Sequence, residues 1–567
     1  MNIEGRLAED SRAAAKGSRL EFALQVLRGR WLALFASLTI LAGVGGGYIF
    51  GIYSKEIKAS LGYDQTTLNL IGFFKDLGGS VGLFSGLIAE VTPVWFVLLI
   101  GWSLNFVGYF VIWLAVSGKI AKPKVWQMCT YMCIAANSLN FANTGALVTS
   151  VKNFPENRGV LLGLLKGFAG LSGAIMTQIY LALYGNDPQS LILLIAWFPA
   201  ALSLVFVYTV RTIKTGTQPN EVRVLYQFLY VSIALACFIM VMTITQKLVT
   251  NFPPIAYDAS ATLVCGLLFF PLFIVYREEL HLWNQKRLPT GPKSENIEIP
   301  AQSPPRSEEM ARKSCFSDIF DKPPRGEDYT ILQAIFSVDM LILLISTACG
   351  LGSGLTLIDN LGQIGESLGY PTQTINTFVS LVNVWSYFGR ISAGLLSEKL
   401  LIKFKFPRPL MITICLFLIC VGHLLVAFPV PGSVYLASVI IGFSFGAQYL
   451  LFNAIISELF GLKYFATLFN FGGLAIPAGS YLLNVRITGV MYDHEAMKDL
   501  ARKNLHRSSG EELTCIGAHC YRKSFSILAA AACFGAFSSL VLVFRTREYY
   551  KGDIYKKFGK ETEAQEE

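Results

Sequence analysis

Residues 60–69, Ser-Leu-Gly-Tyr-Asp-Gln-Thr-Thr-Leu-Asn, recur at residues 367–376 as Ser-Leu-Gly-Tyr-Pro-Thr-Gln-Thr-Ile-Asn. Each copy follows a glycine-rich apolar run and leads into another apolar run. That second run ends in a further repeated element, Gly-x-x-x-Glu, at Gly86–Glu90 and again at Gly394–Glu398. Two matches in corresponding places indicate that the chain is built from two related halves.

The whole chain is rich in apolar residues. Of its 567 residues 53% are hydrophobic and 15% are charged, and its mean hydropathy is +0.50. A soluble chain carries about 25% charged residues. Runs of about 20 apolar residues have the length that an α-helix needs to cross hydrocarbon, where a helix also satisfies its own backbone hydrogen bonds. We find fourteen such runs, at residues 31–53, 66–88, 94–116, 125–149, 159–184, 190–210, 225–246, 257–276, 333–358, 372–397, 408–428, 433–457, 464–485 and 524–544.

The repeat makes spans 1 and 2 equivalent to spans 9 and 10. This offset is an even number of spans, so both copies cross the membrane in the same direction. Parallel six-helix halves are the major facilitator architecture. We therefore predict an all-α polytopic membrane protein with a major facilitator fold and two extra helices between its halves. The predicted divisions are an N-terminal segment (1–30), the first half (31–210), the extra pair (211–276), a disordered linker (277–332), the second half (333–544) and a tail (545–567).

The basic residues of the loops predict the orientation, because Lys and Arg concentrate in cytoplasmic loops. Lys and Arg are plentiful in residues 1–30, 211–224, 277–332, 398–407 and the tail, and absent from residues 185–189, 359–371 and 429–432. We predict that both termini are cytoplasmic. These loops account for the net charge of +9, so the expected surroundings are a lipid bilayer and no nucleic acid. The plasma membrane, the endoplasmic reticulum and the vacuole all fit.

Five charged residues lie well inside predicted spans, where such groups are costly and are functional candidates. They are Lys75, Asp76, Lys166, Asp339 and Arg390. In one interpretation the three cations line a cavity between the halves and attract an anionic solute, while Asp76 or Asp339 exchanges protons as the coupling ion. In the other, the charges form fixed ion pairs.

The repeated Gly-x-x-x-Glu element is a candidate gating motif. Gly86 and Gly394 would allow close helix approach, and Glu90 or Glu398 would pair with cations of a neighbouring helix in one transport state. Lys399 supplies the basic neighbour in the second copy, whereas Val91 follows Glu90 in the first. The alternative is an ordinary solvated loop charge.

Cys515 and Cys520 lie in the polar loop before the last span, on the predicted non-cytoplasmic side. They are a candidate disulfide if that side is oxidising; two free thiols are the alternative. Zinc-ligand spacing of Cys and His is not evident in the sequence. We expect no metal, no cofactor and no catalytic residues.

Several short motifs together resemble the plant nodulin-like major facilitator proteins. In residues 30–276 they are Arg30-Trp31, Tyr53-Ser54, residues 61–65 and Lys75-Asp76-Leu77-Gly78. From residue 333 onward, Gly389-Arg390 and residues 515–521 resemble the nuclear-fusion-defective type of that family. The resemblance implies a multi-pass transporter-like protein that is distantly similar to oxalate/formate and monocarboxylate carriers.

The predicted function is secondary transport of a small solute, an organic anion on the evidence of the buried cations, by alternating access. A phosphate-binding Gly-x-x-x-x-Gly-Lys-Ser/Thr loop does not occur in the sequence, which argues against transport driven directly by ATP. One alternative is a transporter-like receptor or regulator without transport. A membrane-embedded enzyme is a further alternative, but the five histidines show no ligand-like clustering. We expect a monomer.

Overall fold

A computed structural model describes residues 19–154, 158–185, 187–213, 220–248, 253–287, 322–461, 464–502 and 513–552. Within these ranges the chain is helical, with turns and no strand. The all-α prediction is confirmed. Most of the predicted linker and the ends of the chain lie outside the described residues.

The first half and the extra pair contain thirteen helices. They are α1 (19–28), α2 (Arg30–Gly43), α3 (Phe50–Leu61), α4 (Gln65–Ser80), α5 (Leu83–Val91), α6 (Val94–Val116), α7 (Val125–Asn143), α8 (Thr149–Asn153), α9 (Arg158–Tyr184), α10 (Pro188–Phe206), α11 (Glu221–Leu248), α12 (Pro254–Phe269) and α13 (Pro271–Arg287).

The second half contains ten. They are α14 (Ile331–Ile335), α15 (Val338–Thr347), α16 (Ser353–Ser367), α17 (Thr372–Phe404), α18 (Arg408–Ala427), α19 (Ser433–Phe460), α20 (Phe465–Gly473), α21 (Ala475–Ser480), α22 (Val490–Arg502) and α23 (His519–Lys551). The end of the bundle where α2 begins and α23 ends is called the inner end below, and the opposite end the outer end. The inner end is the one predicted to be cytoplasmic.

Ten helical segments of the described chain are long and apolar enough to cross a membrane. The other four predicted spans, 66–88, 125–149, 372–397 and 464–485, coincide with helices that are interrupted or carry more polar residues. Large apolar side chains such as Val205 and Phe544 point outward, each 72% exposed. Outward-facing apolar side chains are what a lipid-facing surface requires.

The helices that lead into the two copies of the repeat pack against each other at the outer end. In the first copy, a turn at Gly45–Ile49 separates α2 from α3, and in the second a π-helical turn at Ala348–Gly352 separates α15 from α16. Helix α3 meets α16 where Gly51 faces Gly362. A Cβ on Gly362 would lie 2.2 Å from the carbonyl oxygen of Gly51, so this approach requires glycine.

Buried asparagines satisfy the carbonyls that helix breaks release. The Nδ2 atoms of Asn137 and Asn140 donate to the Gly78 carbonyl at 3.0 and 2.9 Å, beside the break between α4 and α5. In α10, Pro199 lacks the N–H that would bond the Ile195 carbonyl. Asn105 donates to that carbonyl at 2.9 Å. These three asparagines therefore stabilise helix packing, because backbone carbonyls inside a membrane need hydrogen-bond donors from the protein.

Two of the predicted boundaries are corrected. The ninth span does not end at residue 358, because α16 continues to Ser367 and buries Asp359 and Asn360. The linker does not begin at residue 277, because α13 continues to Arg287. There Glu279 is buried and accepts a 3.0 Å hydrogen bond from Gln25 of α1. In both places the charged or polar residues are typical of a loop. They are helical in the structure because partners from a distant part of the chain form hydrogen bonds or ion pairs with them.

Candidate functional site

A cavity of about 1160 Å³ lies between the two halves. It extends from Lys75, at mid-depth, to Ser397 and Ser457 near the inner end. Helices α4, α5, α7 and α9 of the first half and α17 and α19 of the second contribute to its lining. Its size is suited to a small solute with accompanying water, since ligand pockets are typically about 300–1,000 Å³.

Lys75 stands at the outer limit of this cavity between two carboxylates. Its Nζ forms an ion pair with Asp359 across the two halves and lies 3.1 Å from Oδ1 of Asp76. The Ser480 hydroxyl donates to Oδ2 of Asp76 at 2.7 Å. Asp359 Oδ2 has no hydrogen-bond partner among the described residues. Two carboxylates thus share one ammonium, which leaves an excess negative charge when all three groups are ionised.

Lys166 and Arg390 form a separate cationic pair on the cavity wall. Arg390 Nη1 donates to the backbone carbonyl of Lys166 at 2.6 Å, and Nε of this nearly fully buried arginine has no partner in the described chain. The guanidinium lies 5.8 and 5.4 Å from the ring centroids of Tyr48 and Tyr449, within cation–π range. A Cβ at Gly170 would come within 2.6 Å of Nη1, so the glycine makes room for the guanidinium.

The outer end of the cavity is closed by contacts between the halves. Gln65 Nε2 donates to Asn360 Oδ1 at 2.8 Å. Asp493 of α22 accepts the backbone N–H groups of Gln65 and Thr66, both at 2.8 Å, and so caps α4 from the opposite half. A carboxylate is favoured at a helix N-terminus, where the first N–H groups lack helical partners. These bonds have to break before solute can reach the cavity from the outer side.

The structure brings four of the five predicted membrane charges to the cavity, namely Lys75, Asp76, Lys166 and Arg390. Asp339 is elsewhere. It lies near the inner end at the start of α15, where Arg325 and Arg545 donate to its carboxylate at 2.8 and 2.6 Å. This double ion pair matches the alternative of a fixed structural charge, and Asp339 is not among the residues that line the cavity.

The glycines of the predicted gating motif line the cavity near its inner end. A Cβ on Gly86 would meet no atom within 4 Å, while one on Gly394 would lie 3.1 Å from Leu450. Only Gly394 therefore sits in a tight helix contact. Lys399 is exposed. The side chains of Glu90 and Glu398 lie outside the described residues, and their gating role stays a prediction.

Sequence reasoning missed Asp359, Tyr48 and Tyr449. Asp359 was assigned to a loop because its polar neighbours resemble one, although the offset of the repeat places it level with Ile52 inside span 1. The two tyrosines carry no signal in a chain with 24 tyrosines, and only the fold shows that they face Arg390.

The candidate disulfide lies at the outer end, where the structure joins Cys515 to Cys520. The bridge closes the turn that precedes α23. Asp499 Oδ2 and His519 Nε2 lie 3.6 and 3.7 Å from Cys515 Sγ and 2.9 Å from each other. This group is remote from the cavity lining.

Two family models match the chain. Residues 30–276 match the model described as Nodulin-like, and residues 333–552 match the model described as NFD4, C-terminal domain. A relative in Arabidopsis thaliana, Protein NUCLEAR FUSION DEFECTIVE 4, is 26% identical over 535 residues, which cover 92% of this chain and 89% of the relative.

Solved structures show the same fold at low sequence identity. The POT family transporter PepTSo is 10% identical with a TM-score of 0.54, covering 92% of this chain and 99% of its own. The inward open xylose transporter XylE from E. coli is 11% identical with a TM-score of 0.52, covering 90% and 95%. These likenesses bear on the fold alone, and they confirm the predicted all-α, multi-pass fold.

Proposed function

Because the chain belongs to the nodulin-like major facilitator family, of the nuclear-fusion-defective type, we propose that it is a secondary transporter for a small organic anion. The observation that carries this proposal is the charge distribution of the cavity. Lys75 is neutralised by Asp76 and Asp359, whereas Lys166 and Arg390 have no acidic partner among the described residues. Two uncompensated cations in a cavity between transporter halves favour an anionic ligand.

Arg390 is the group best suited to bind the anion. A guanidinium is planar and presents paired donors that match a carboxylate. Tyr48 and Tyr449 flank it, and its Nε has no partner among the described residues. Lys166 adds a second positive charge beside the ring of Tyr449, at 5.8 Å from its centroid. A carboxylate bound to Arg390 would therefore satisfy a buried donor that otherwise has no hydrogen bond.

The asymmetry of the two ends supports alternating access. The cavity reaches the inner end, while the outer end is held by the Gly51–Gly362 contact, the Gln65–Asn360 hydrogen bond and the Asp493 cap. Rocking of one half against the other around a midplane site would break these contacts and open the outer end. The same movement would close the inner end.

Proton coupling is assigned to the Lys75 cluster. One ammonium between Asp76 and Asp359 compensates one carboxylate, and a proton neutralises the other. Because the Lys75–Asp359 pair joins the two halves, a change in its charge alters the stability of the outer closure. Asp359→Asn should retain anion exchange but lose acceleration of uptake by a proton gradient. Uptake that still follows the proton gradient in this variant would remove Asp359 from the coupling role.

The function is tested by uptake into proteoliposomes across a panel of mono- and dicarboxylates, with sugars and amino acids as comparison solutes. Arg390→Ala and Lys166→Ala should abolish anion uptake while the protein remains folded. Arg486→Ala is the matched control, because Arg486 is exposed and does not line the cavity.

Three results would count against the proposal. Unchanged anion flux in Arg390→Ala would remove this residue from the site. Preference for a neutral solute would refute the anion assignment. Saturable anion binding without flux under any gradient would favour the transporter-like receptor over the transporter.

A further inference from the structure

Four side chains of metal-ligand type converge at the outer end, away from the cavity. Asp499 projects from α22, and Cys515, His519 and Cys520 belong to the turn that opens α23. One ligand atom from each residue lies within 4.8 Å of all the others. The sequence did not suggest this group, because its carboxylate comes from a separate helix sixteen residues before Cys515.

The backbone of the turn is held in place independently of the cysteines. Gly517 has a φ of +125°, and a Cβ there would come within 2.8 Å of His519 Nδ1, so glycine lets the ring fold back over the turn. The Gly517 N–H donates to the Ser367 carbonyl at 2.8 Å, and the Cys515 N–H donates to the Tyr492 hydroxyl at 3.0 Å. The backbone of the turn is thus held by contacts that do not involve the cysteine side chains.

The distances match a tetrahedral site. Bonds of about 2.3 Å to sulfur and about 2.0–2.1 Å to nitrogen or oxygen place a sulfur ligand about 3.5 Å from its nitrogen and oxygen neighbours. Cys515 Sγ lies 3.7 Å from His519 Nε2 and 3.6 Å from Asp499 Oδ2. The Nε2–Oδ2 distance of 2.9 Å would widen slightly around an ion. Only Cys520 Sγ, which is bonded to Cys515 here, has to turn away to complete the set.

We propose that, when the Cys515–Cys520 disulfide is reduced, these four residues bind one divalent metal ion of the zinc type. A dithiol reductant supplies two electrons and two protons, the S–S bond breaks, and two thiols form while the reductant becomes a disulfide. Metal binding then displaces both thiol protons, so that two thiolates, the His519 imidazole and the Asp499 carboxylate are the ligands. Thiolate and imidazole ligands select zinc over magnesium or calcium.

The disulfide and the metal exclude each other, because both use the same sulfur atoms. The disulfide and the metal ion would each crosslink the same turn. Only the metal ion would also connect the turn to α22, through Asp499. The segment also touches the outer closure, since Lys58 Nζ donates to the Leu513 carbonyl at 2.7 Å. The redox state of this side of the membrane would therefore determine whether the disulfide or the metal ion crosslinks the turn beside the outer closure.

The test uses full-length protein in detergent without a polyhistidine tag, reduced with a phosphine that is then removed. Titration with Co²⁺ should produce thiolate-to-cobalt charge-transfer bands and intense tetrahedral d–d bands at one equivalent per chain, and Zn²⁺ should abolish them. Oxidised protein should give neither band. His519→Ala and Cys515→Ser should each weaken binding at least tenfold, because removing even an outer-shell partner costs about 10–100-fold.

Cys533→Ser is the matched control, because this cysteine is a free thiol elsewhere on α23. It should bind Co²⁺ as the unaltered protein does. Absence of the bands in reduced protein, equal binding by oxidised protein, or unchanged binding in His519→Ala would each overturn the proposal. Circular dichroism of every variant separates loss of the site from loss of the fold.

Discussion

The contact between Gly51 and Gly362 should control the closure of the outer end. Replacing Gly362 by alanine places a Cβ 2.2 Å from the Gly51 carbonyl oxygen. Ordinary carbon–oxygen contacts are about 3.3–3.6 Å, so α3 and α16 have to separate by about 1 Å. The neighbouring atoms are backbone and the Lys55 side chain, and the backbone has no rotamer with which to move aside.

The cost of this overpacking is about 1–3 kcal/mol. Alanine also favours the helix over glycine by about 1 kcal/mol, but α16 is helical whether the outer end is closed or open, so that gain cancels between the two states. The clash exists only in the closed state. Gly362→Ala should therefore lower the ratio of outer-closed to outer-open protein by about 5- to 150-fold.

A crosslinking assay measures this ratio. Lys55 Nζ and Glu366 Oε2 lie 3.6 Å apart across the closure, so cysteines at these two positions can be joined by a short bifunctional thiol reagent. A protease site placed within residues 288–321 then cuts the chain between the halves, and crosslinked fragments stay together on a gel. The single variant Lys55→Cys gives the background from the native cysteines.

Gly266→Ala is the matched control, because a Cβ there meets no atom within 4 Å. It should leave crosslinking unchanged, while Gly362→Ala should reduce it strongly in protein that remains folded. Equal crosslinking in Gly362→Ala and the parent would refute the closure at this contact. Equal loss in both variants would mean that the effect does not come from the interface.

Two further variants and one measurement on the unaltered protein test packing and covalent structure. Asn105→Leu leaves a proline-released carbonyl without its buried donor and should destabilise the protein by about 1–3 kcal/mol, seen as a lower midpoint of thermal unfolding. Arg30→Met breaks the buried pair with Glu221, whose closest atoms are 2.5 Å apart, and should cost about 3–5 kcal/mol, with much of the loss recovered when Glu221→Leu is added. Peptide mass spectrometry of protein from its native membrane, alkylated without reduction, should find Cys515 linked to Cys520 and unalkylated.

The controls for the two variants lie close by in the chain. Ser103→Ala and Arg28→Met change exposed residues near the first two positions and should leave the unfolding midpoint within a degree or two. An unchanged midpoint in Asn105→Leu would show that the carbonyl finds another donor. Failure of the second substitution to rescue Arg30→Met would show that the arginine acts through contacts other than Glu221. Alkylated Cys515 would contradict the bridge.

The sequence predicted the architecture because hydrophobic length and an internal repeat are local signals. The match between residues 60–69 and 367–376 was sufficient to define parallel halves, and the fold comparisons confirm that architecture. Lys75, Asp76, Lys166 and Arg390 were identifiable because each is a charge inside an apolar run. The position of each charge within its apolar run was sufficient to predict its depth in the membrane.

Partners across the two halves could not be predicted in the same way. Asp359 pairs with Lys75 from a distance of 284 residues in sequence, and its polar surroundings resemble a loop. Asp339 had the same local signal as Lys166, yet Arg325 and Arg545 converge on it at the inner end. Which charge is paired and which is left facing the cavity depends on helix packing, and packing is not encoded in any one segment.

Counterflow in proteoliposomes tests the central claim most directly, because it requires alternating access but no knowledge of the coupling ion. Vesicles are loaded with an unlabelled small carboxylate and diluted into a trace of the same labelled anion. The expected result is a transient accumulation of label above equilibrium that disappears in Arg390→Ala and persists in Arg486→Ala. Label uptake equal to that of protein-free vesicles for every carboxylate in the panel would contradict transport of a small organic anion by this protein.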